Sequence, residues 1–402
     1  MKKSALLSID AFAKTEEDVR IRTRTGGIIT VSCIVATIML LLSEWFHFNE
    51  VVTRPQLVVD RDRHLKLDLN LDVTFPHIPC DLLNMDIMDA AGELQLDLLQ
   101  SGWSKTRIDA SGNEIGTKKF QISDEVFDSE PEGEDYCGDC YGAKDQTRND
   151  DVAPAERVCC QTCEDVRNAY IAAGWAFYDG KNIEQCEREG YVERINQHLT
   201  EGCRIKGKAQ LNRIEGNMHF APGKAFQNAR GHYHDTSLYV KTQDLNFNHI
   251  IHELSFGKNV KTPDTGGVSA SPLDGRQVSP DYDTHFYQYS YFAKIVPTRY
   301  EYLNGDKVET TQFSATYHER PLQGGRDDDH PTTVHTRGGI PGVFIYFEMS
   351  PLKVINKEQH AQTWSGFILN CITSIGGVLA VGTVIDKVVY KAQRSIWGKK
   401  SQ

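Results

Sequence analysis

The chain has 402 residues, 40% of them hydrophobic, with a formal charge of -11 and a negative mean hydropathy. That balance excludes the basic patch or stripe through which a protein grips nucleic acid, so no nucleic-acid partner is expected. The average also hides a segregation, because much of the apolar content is gathered into two long uncharged runs.

The first 24 residues form a leader carrying Lys2, Lys3, Lys14, Arg20, Arg22 and Arg24. From Thr25 to Ser43 there follow 19 residues without a charge, enough to cross about 30 Å of hydrocarbon as a helix. The charged leader is too long for a secretory signal, and Ser43, Glu44 and Trp45 offer no small-residue cleavage site, so an uncleaved anchor over 25–48 is expected. Trp45 and Phe46 then sit where aromatic rings favour the headgroup boundary.

Beyond this anchor, His64 to Phe75 places Leu65, Leu67, Leu69, Leu71, Val73 and Phe75 on one face, the period of a half-buried strand. Pro76 and Pro79 stop it beside Cys80. Further strand-like runs lie at Cys203–Leu211, His285–Val296, Thr310–His318 and Val343–Met349, with Gly, Pro and Asp clusters between them. The fold expected is α+β and mainly β: an antiparallel β-sandwich built from residues 49–123 and 203–360 and interrupted by an insert at 124–202. That insert opens acidic, becomes cysteine-rich and turns partly helical over Glu164–Phe177. Lys261–Gln277 reads as a connecting loop rich in Gly, Ser, Thr and Pro.

A second uncharged run of 25 residues, Ala361–Ile385, is the second span, with Trp364 near its start and Gly376 and Ala380 forming a small-residue face for helix packing. The tail 386–402 carries five basic residues against one acid, and the leader six against four, which leaves -17 of the total of -11 for the segment between them. Short basic flanks stay on the cytosolic side, so both ends are expected in the cytosol and the large middle segment in the lumen of the secretory pathway.

That placement governs the cysteines. Cys33 and Cys371 fall in the spans, and eight remain: Cys80, Cys137, Cys140, Cys159, Cys160, Cys163, Cys186 and Cys203. In an oxidising lumen they read as disulfides, although eight cysteines permit 105 connectivities. Two C-x-x-C pairs, Cys137 with Cys140 and Cys160 with Cys163, lie 19 residues apart and also fit a four-thiolate zinc site, the lesser reading in this compartment. A working redox pair is the third, and it underlies an alternative function as a membrane-tethered luminal thiol oxidoreductase. The expected cofactor is none.

Histidines cluster in the luminal segment, and His219, His232, His234, His249 and His252 are candidates for sensing the pH step between a neutral and a mildly acidic compartment. His232, His234 and Asp235 could also be drawn as ligands or bases, yet two histidines at i and i+2 simply share one strand face. No hydrolase elbow, zinc-protease motif, phosphate loop or dinucleotide fingerprint is present, and no catalytic residue is assigned. Lys399 and Lys400, the fourth and third residues from the carboxyl end, match a dilysine retrieval signal for a cytosolic coat.

Spread along the chain are Asp10-Ala-Phe-Ala-Lys14, Gly202-Cys-Arg-Ile-Lys-Gly207, Gly216-Asn-Met-His-Phe-Ala-Pro-Gly223, Asn246-Phe-Asn-His-Ile-Ile251, Ser271-Pro-Leu-Asp-Gly275, Tyr291-Phe-Ala-Lys-Ile-Val-Pro-Thr298 and Gly339-Ile-Pro-Gly342. In these stretches the chain resembles the larger subunit of the endoplasmic-reticulum vesicle (Erv) receptors, the group that includes the ERGIC proteins. The resemblance implies a receptor cycling between the ER membrane and the cis-Golgi in COPII and COPI vesicles. It also implies a smaller related membrane subunit as partner and escaped ER-resident proteins as cargo. Lys399 and Lys400 carry over as the COPI signal; of the Phe-Tyr export element, Val389-Tyr390 keeps only the tyrosine. The cysteine-rich insert is implicated in retrieval, and its apolar residues Tyr170, Ile171, Trp175, Phe177 and Tyr178 are the expected cargo surface, since aromatic anchors dominate such contacts.

Overall fold

The computed structural model describes residues 24–61, 66–95, 102–119, 136–228, 231–258, 271–323 and 338–397. It divides into two compact units: Pro55–Glu301 with Gly305–Asn356, and a second that holds the two long terminal helices. The first helix, α1 (Arg24–Asn49), covers the expected span and is apolar on every face, as a helix surrounded by hydrocarbon should be.

Two sheets face each other in the larger unit, although the strands Val51–Val59 and Leu352–His360 of the second sheet run past that unit's boundaries at Pro55 and Asn356. One has six strands in the order β11 (Arg276–Val278), β10 (His249–Phe256), β2 (Leu67–Phe75), β6 (Gly202–Leu211), β4 (Trp103–Ile108) and β5 (Glu114–Lys119). The other runs β1 (Val51–Val59), β15 (Leu352–His360), β12 (Tyr287–Glu301), β14 (Gly342–Met349), β7 (Gly216–Pro222) and β3 (Leu83–Asp89), with β13 (Lys307–Pro321) also paired to β12. A separate hairpin joins β8 (Ala225–Asn228) to β9 (Gly231–His234).

The alternation in β2 is what positions the core. Leu67, Leu69, Leu71, Val73 and Phe75 are all buried, and Phe75 meets Phe220 of the facing sheet at 5.1 Å between ring centres and Phe247 at 5.9 Å. Each such side chain stabilises the fold by about 1.5–3 kcal/mol through its removal from water. The opposite face of β2 carries Asp72, buried and held by Arg204 of β6 through two hydrogen bonds of 2.7 and 2.8 Å.

Three departures from expectation have physical causes. β12 and β14 pair in parallel, because the β12–β13 hairpin returns the chain to the start of β12, where Gly342 opens β14 opposite Gln288. Arg276 and Gln277, expected in a loop, pair with β10 instead. The insert helix α2 (Cys163–Ala173) ends four residues before Phe177, because Gly174 takes the left-handed conformation at φ 75° and its N–H and that of Trp175 close back on the last turn.

After α2 the insert continues through α3 (Glu184–Arg188) and α4 (Tyr191–His198), and α5 (Ser237–Lys241) follows the β8–β9 hairpin. The last helix, α6 (Trp364–Trp397), runs twelve residues past the expected end of its span at Ile385. It pairs with α1: Glu44 accepts hydrogen bonds from Gln362 and Asn370, and Gly382 lies so close to Cys33 that a Cβ there would meet its sulfur at 2.6 Å. A Cβ on Gly376 would meet nothing within 4 Å.

Candidate functional site

The insert from Tyr136 to Gly202 has little regular structure, and its residues are held by covalent links and side-chain-to-backbone bonds. All eight candidate cysteines are paired: Cys137 with Cys159, Cys140 with Cys160, Cys163 with Cys186, and Cys80 with Cys203. Neither C-x-x-C motif closes on itself, and Cys137, Cys140, Cys160 and Cys163 are divided among three bridges rather than gathered at one point. Gly138 is required where it stands, since a Cβ would fall 2.1 Å from the Cys160 carbonyl oxygen. Buried Gln185 donates to the carbonyls of Asp139 and Cys160 at 2.8 Å each, satisfying backbone that no strand could reach. Thr162 caps α2 by accepting from the Asp165 N–H while the Asp165 carboxylate accepts in return, a reciprocal capping box.

Of the five apolar residues expected to form a cargo surface, the structure displays two. Trp175 is 48% exposed and Tyr178 49% exposed, at either end of the turn that follows α2. Tyr170 and Ile171 are half-buried, with Tyr170 edge-on to Trp175 at 5.6 Å. Phe177 is not on the surface: it is buried between Tyr170 and Tyr191, with the Arg167 guanidinium over its ring, because the early end of α2 turns it inward. The result is a display loop anchored by one buried ring.

The insert is fastened to the sandwich on two sides. On one, the Cys80–Cys203 bridge is flanked by His198 Nδ1 at 2.5 Å from Asp81 and by Arg107 donating two hydrogen bonds to Glu201. On the other, the Tyr178 N–H donates to Ser237 Oγ at 2.8 Å, Lys241 pairs with Asp179, and Lys224 pairs with Glu164.

The histidines divide sharply. His249 is fully buried between Tyr289 and Tyr291, its Nε2 2.7 Å from the Tyr291 hydroxyl, and burial pushes its pKa down to about 4. His252 is exposed, 2.9 Å from the Thr74 hydroxyl. His219, His232 and His234 come together, and they do so around Asp86, a residue the sequence gives no reason to single out. Burial lowers the pKa of His219 to about 4 and that of His234 in the same direction, against the opposing charge of Asp86. Burial thus works against protonation in three of the five pH-sensing candidates, His219, His234 and His249. Asp235 stands apart from this group, its carboxylate accepting from Ser237 instead.

Lys399 and Lys400 lie outside the described residues. Val389 and Tyr390 lie inside α6, where Tyr390 is exposed and Val389 half-buried.

Comparison with known proteins gives a consistent picture. A family profile described as endoplasmic reticulum vesicle transporter matches residues 140–386, and one described as Endoplasmic Reticulum-Golgi Intermediate Compartment (ERGIC) matches residues 6–96. The ER-derived vesicles protein ERV46 of Saccharomyces cerevisiae is 67% identical over 100% of both chains. Endoplasmic reticulum-Golgi intermediate compartment protein 2 of Danio rerio is 28% identical, covering 100% of this chain and 93% of that one. Among solved structures, a crystal structure of Erv41p aligns with a TM-score of 0.38 at 18% identity, covering 75% of this chain and 99% of that one.

Proposed function

The chain belongs to the endoplasmic reticulum vesicle transporter family, and from that membership we propose that this ER-Golgi trafficking protein is a transmembrane receptor that retrieves escaped ER-resident proteins. In this reading both ends lie in the cytosol. Lys399 and Lys400 address the COPI coat, Tyr390 contributes to loading into COPII vesicles, and a smaller related membrane subunit completes the complex. The receptor moves between the ER membrane and the cis-Golgi.

The observation that carries the receptor reading is the pairing of rigidity with exposure in the insert. Three disulfides clamp its backbone, while Trp175 and Tyr178 remain about half exposed in the turn after α2. An aromatic surface ordered in advance loses little conformational entropy on binding. The oxidoreductase alternative has less behind it, because a C-x-x-C site works by opening and closing a bond within the motif, and here each motif cysteine is bonded outside it.

We further propose that the grip tightens as the compartment acidifies. What supports this is general: imidazole takes up a proton between neutral and mildly acidic pH, and the histidines of the sequence lie between the two spans or at their edges.

Replacing Trp175 and Tyr178 with Ser in the full-length protein should release a luminal ER-resident protein that lacks its own retention tail into the medium. Co-purification with the smaller subunit should be unchanged. Normal retention in cells expressing only that variant would sink the cargo-surface reading.

A further inference from the structure

Asp86, His219, His232 and His234 present four ligand atoms that all lie within 4.8 Å of one another. The Nε2 atoms of His232 and His234 are 3.1 Å apart, and those of His219 and His234 3.2 Å. Asp86 Oδ2 stands 3.3, 3.4 and 3.7 Å from the Nε2 atoms of His234, His232 and His219. A tetrahedron drawn around zinc with bonds of about 2.0–2.1 Å has edges of about 3.3–3.4 Å. Five of the six separations scatter about that value, and the sixth, between His219 and His232, lies within the 4.8 Å bound.

Hydrogen-bond roles sharpen the point. His234 Nδ1 lies 3.4 Å from the Gly223 carbonyl oxygen, which can only accept, so the proton sits on Nδ1 and Nε2 turns a lone pair inward. His219 Nδ1 lies 3.0 Å from Asn217 Oδ1, which sets its tautomer in the same sense. Two lone pairs 3.2 Å apart in a buried site repel unless a cation lies between them. This outer ring of acceptors on the far nitrogens is the arrangement that orients metal-binding histidines. Asp86 is held in turn by Asn84, which donates to its Oδ2 at 2.6 Å. All four side chains are at least nine-tenths buried, with exposures between 1% and 9%.

From this geometry we infer that the chain binds one zinc ion through Asp86, His219, His232 and His234. Four protein ligands leave no position open for a substrate, so the ion is structural. Its task follows from where the ligands come from. Asp86 and His219 face each other in register across β3 and β7, on the side of the sheet turned away from the core residues Met85, Ile87, Met218 and Phe220. His232 and His234 come from the β8–β9 hairpin, a two-stranded element that is marginal by itself. Zinc clips that hairpin to the sheet. Lys224 and Ser237, on either side of it, hold Glu164 and the Tyr178 N–H of the insert, so the clip also fixes one of the insert's two fastenings.

The test uses the full-length protein purified in detergent. Elemental analysis should find about one zinc per chain, and X-ray absorption at the zinc edge should show only nitrogen and oxygen neighbours at about 2.0–2.1 Å, with no sulfur at about 2.3 Å. His232→Gln changes the most accessible of the three rings and one whose Nδ1 bonds to nothing, so it is the variant best able to fold. It should retain at least roughly tenfold less zinc after dialysis while its four disulfides stay oxidised. Removing zinc from the unaltered protein with a chelator should speed amide exchange across residues 225–241. Oxidised, folded wild-type protein without metal would overturn the inference. So would sulfur in the zinc shell, another metal on the same nitrogens, or full zinc content in His232→Gln.

Discussion

The β-sandwich and the cysteine-rich insert lie in one compact unit yet are stabilised in contrasting ways. The sandwich buries a continuous apolar layer between two sheets, centred on Phe75, Phe220 and Phe247. In the insert, α3 has five residues and α4 eight, too few to be stable alone, and three disulfides with side-chain caps do the work of a core. The difference teaches where each can change. A hydrophobic core tolerates variation at its surface and little inside, whereas a cross-linked segment tolerates almost any side chain that no bridge or buried hydrogen bond requires.

Three measurements on the full-length protein would break or sharpen that contrast. The largest effect is expected from Phe75→Ala, which leaves a cavity at the centre of the sandwich and should cost about 3–5 kcal/mol in denaturant unfolding. If both regions melt together, the insert depends on the scaffold; if the insert keeps its amide protection, it is the more independent of the two.

Next comes the double replacement of Cys163 and Cys186 with Ser, which frees α2 from α3. It should cost about 2–5 kcal/mol locally. Hydrogen exchange should quicken over residues 163–198 while β2 and β6 hold their protection; equal loss in both would mean that the two mechanisms of stabilisation are not separate.

The smallest effect lies on the acid limb of the stability curve. Burial would raise the Asp72 carboxyl, but hydrogen bonds and charge from Arg204 and Lys206 outweigh it and hold the group below the usual carboxylate range. A lowered folded-state value means stability that is complete above the unfolded carboxylate range and is lost as pH falls toward the folded value. Asp72→Asn should therefore flatten the acid limb of sandwich unfolding, measured by urea midpoint against pH, and leave insert exchange rates unaltered.

Much of the sandwich was legible because its signal is local. Leu67 to Phe75 alternate, and alternation alone says strand and face. The parity and crowding of the cysteines likewise announced disulfides, but pairing is a property of three dimensions, and nothing in the spacing joins Cys80 to Cys203 across 123 positions. The same limit hid Asp86, which meets His219 only through strand register. The inward position of Phe177 has a local cause that the sequence carries: Gly174 is a helix stop, and a helix ending there rotates the following ring inward.

The strand order also fixes a timetable. β2 pairs with β6 and β10, so the Leu67–Phe75 ridge has no complete pair of neighbours until Phe256 has been made. At about 5–20 residues per second that wait is on the order of ten to forty seconds. Over the same interval the cysteines of the insert emerge within 20 to 23 positions of their partners and can be joined as they appear. The leucine ridge of a nascent chain therefore stays without its neighbours throughout that wait, while every bridge of the insert already has both its cysteines.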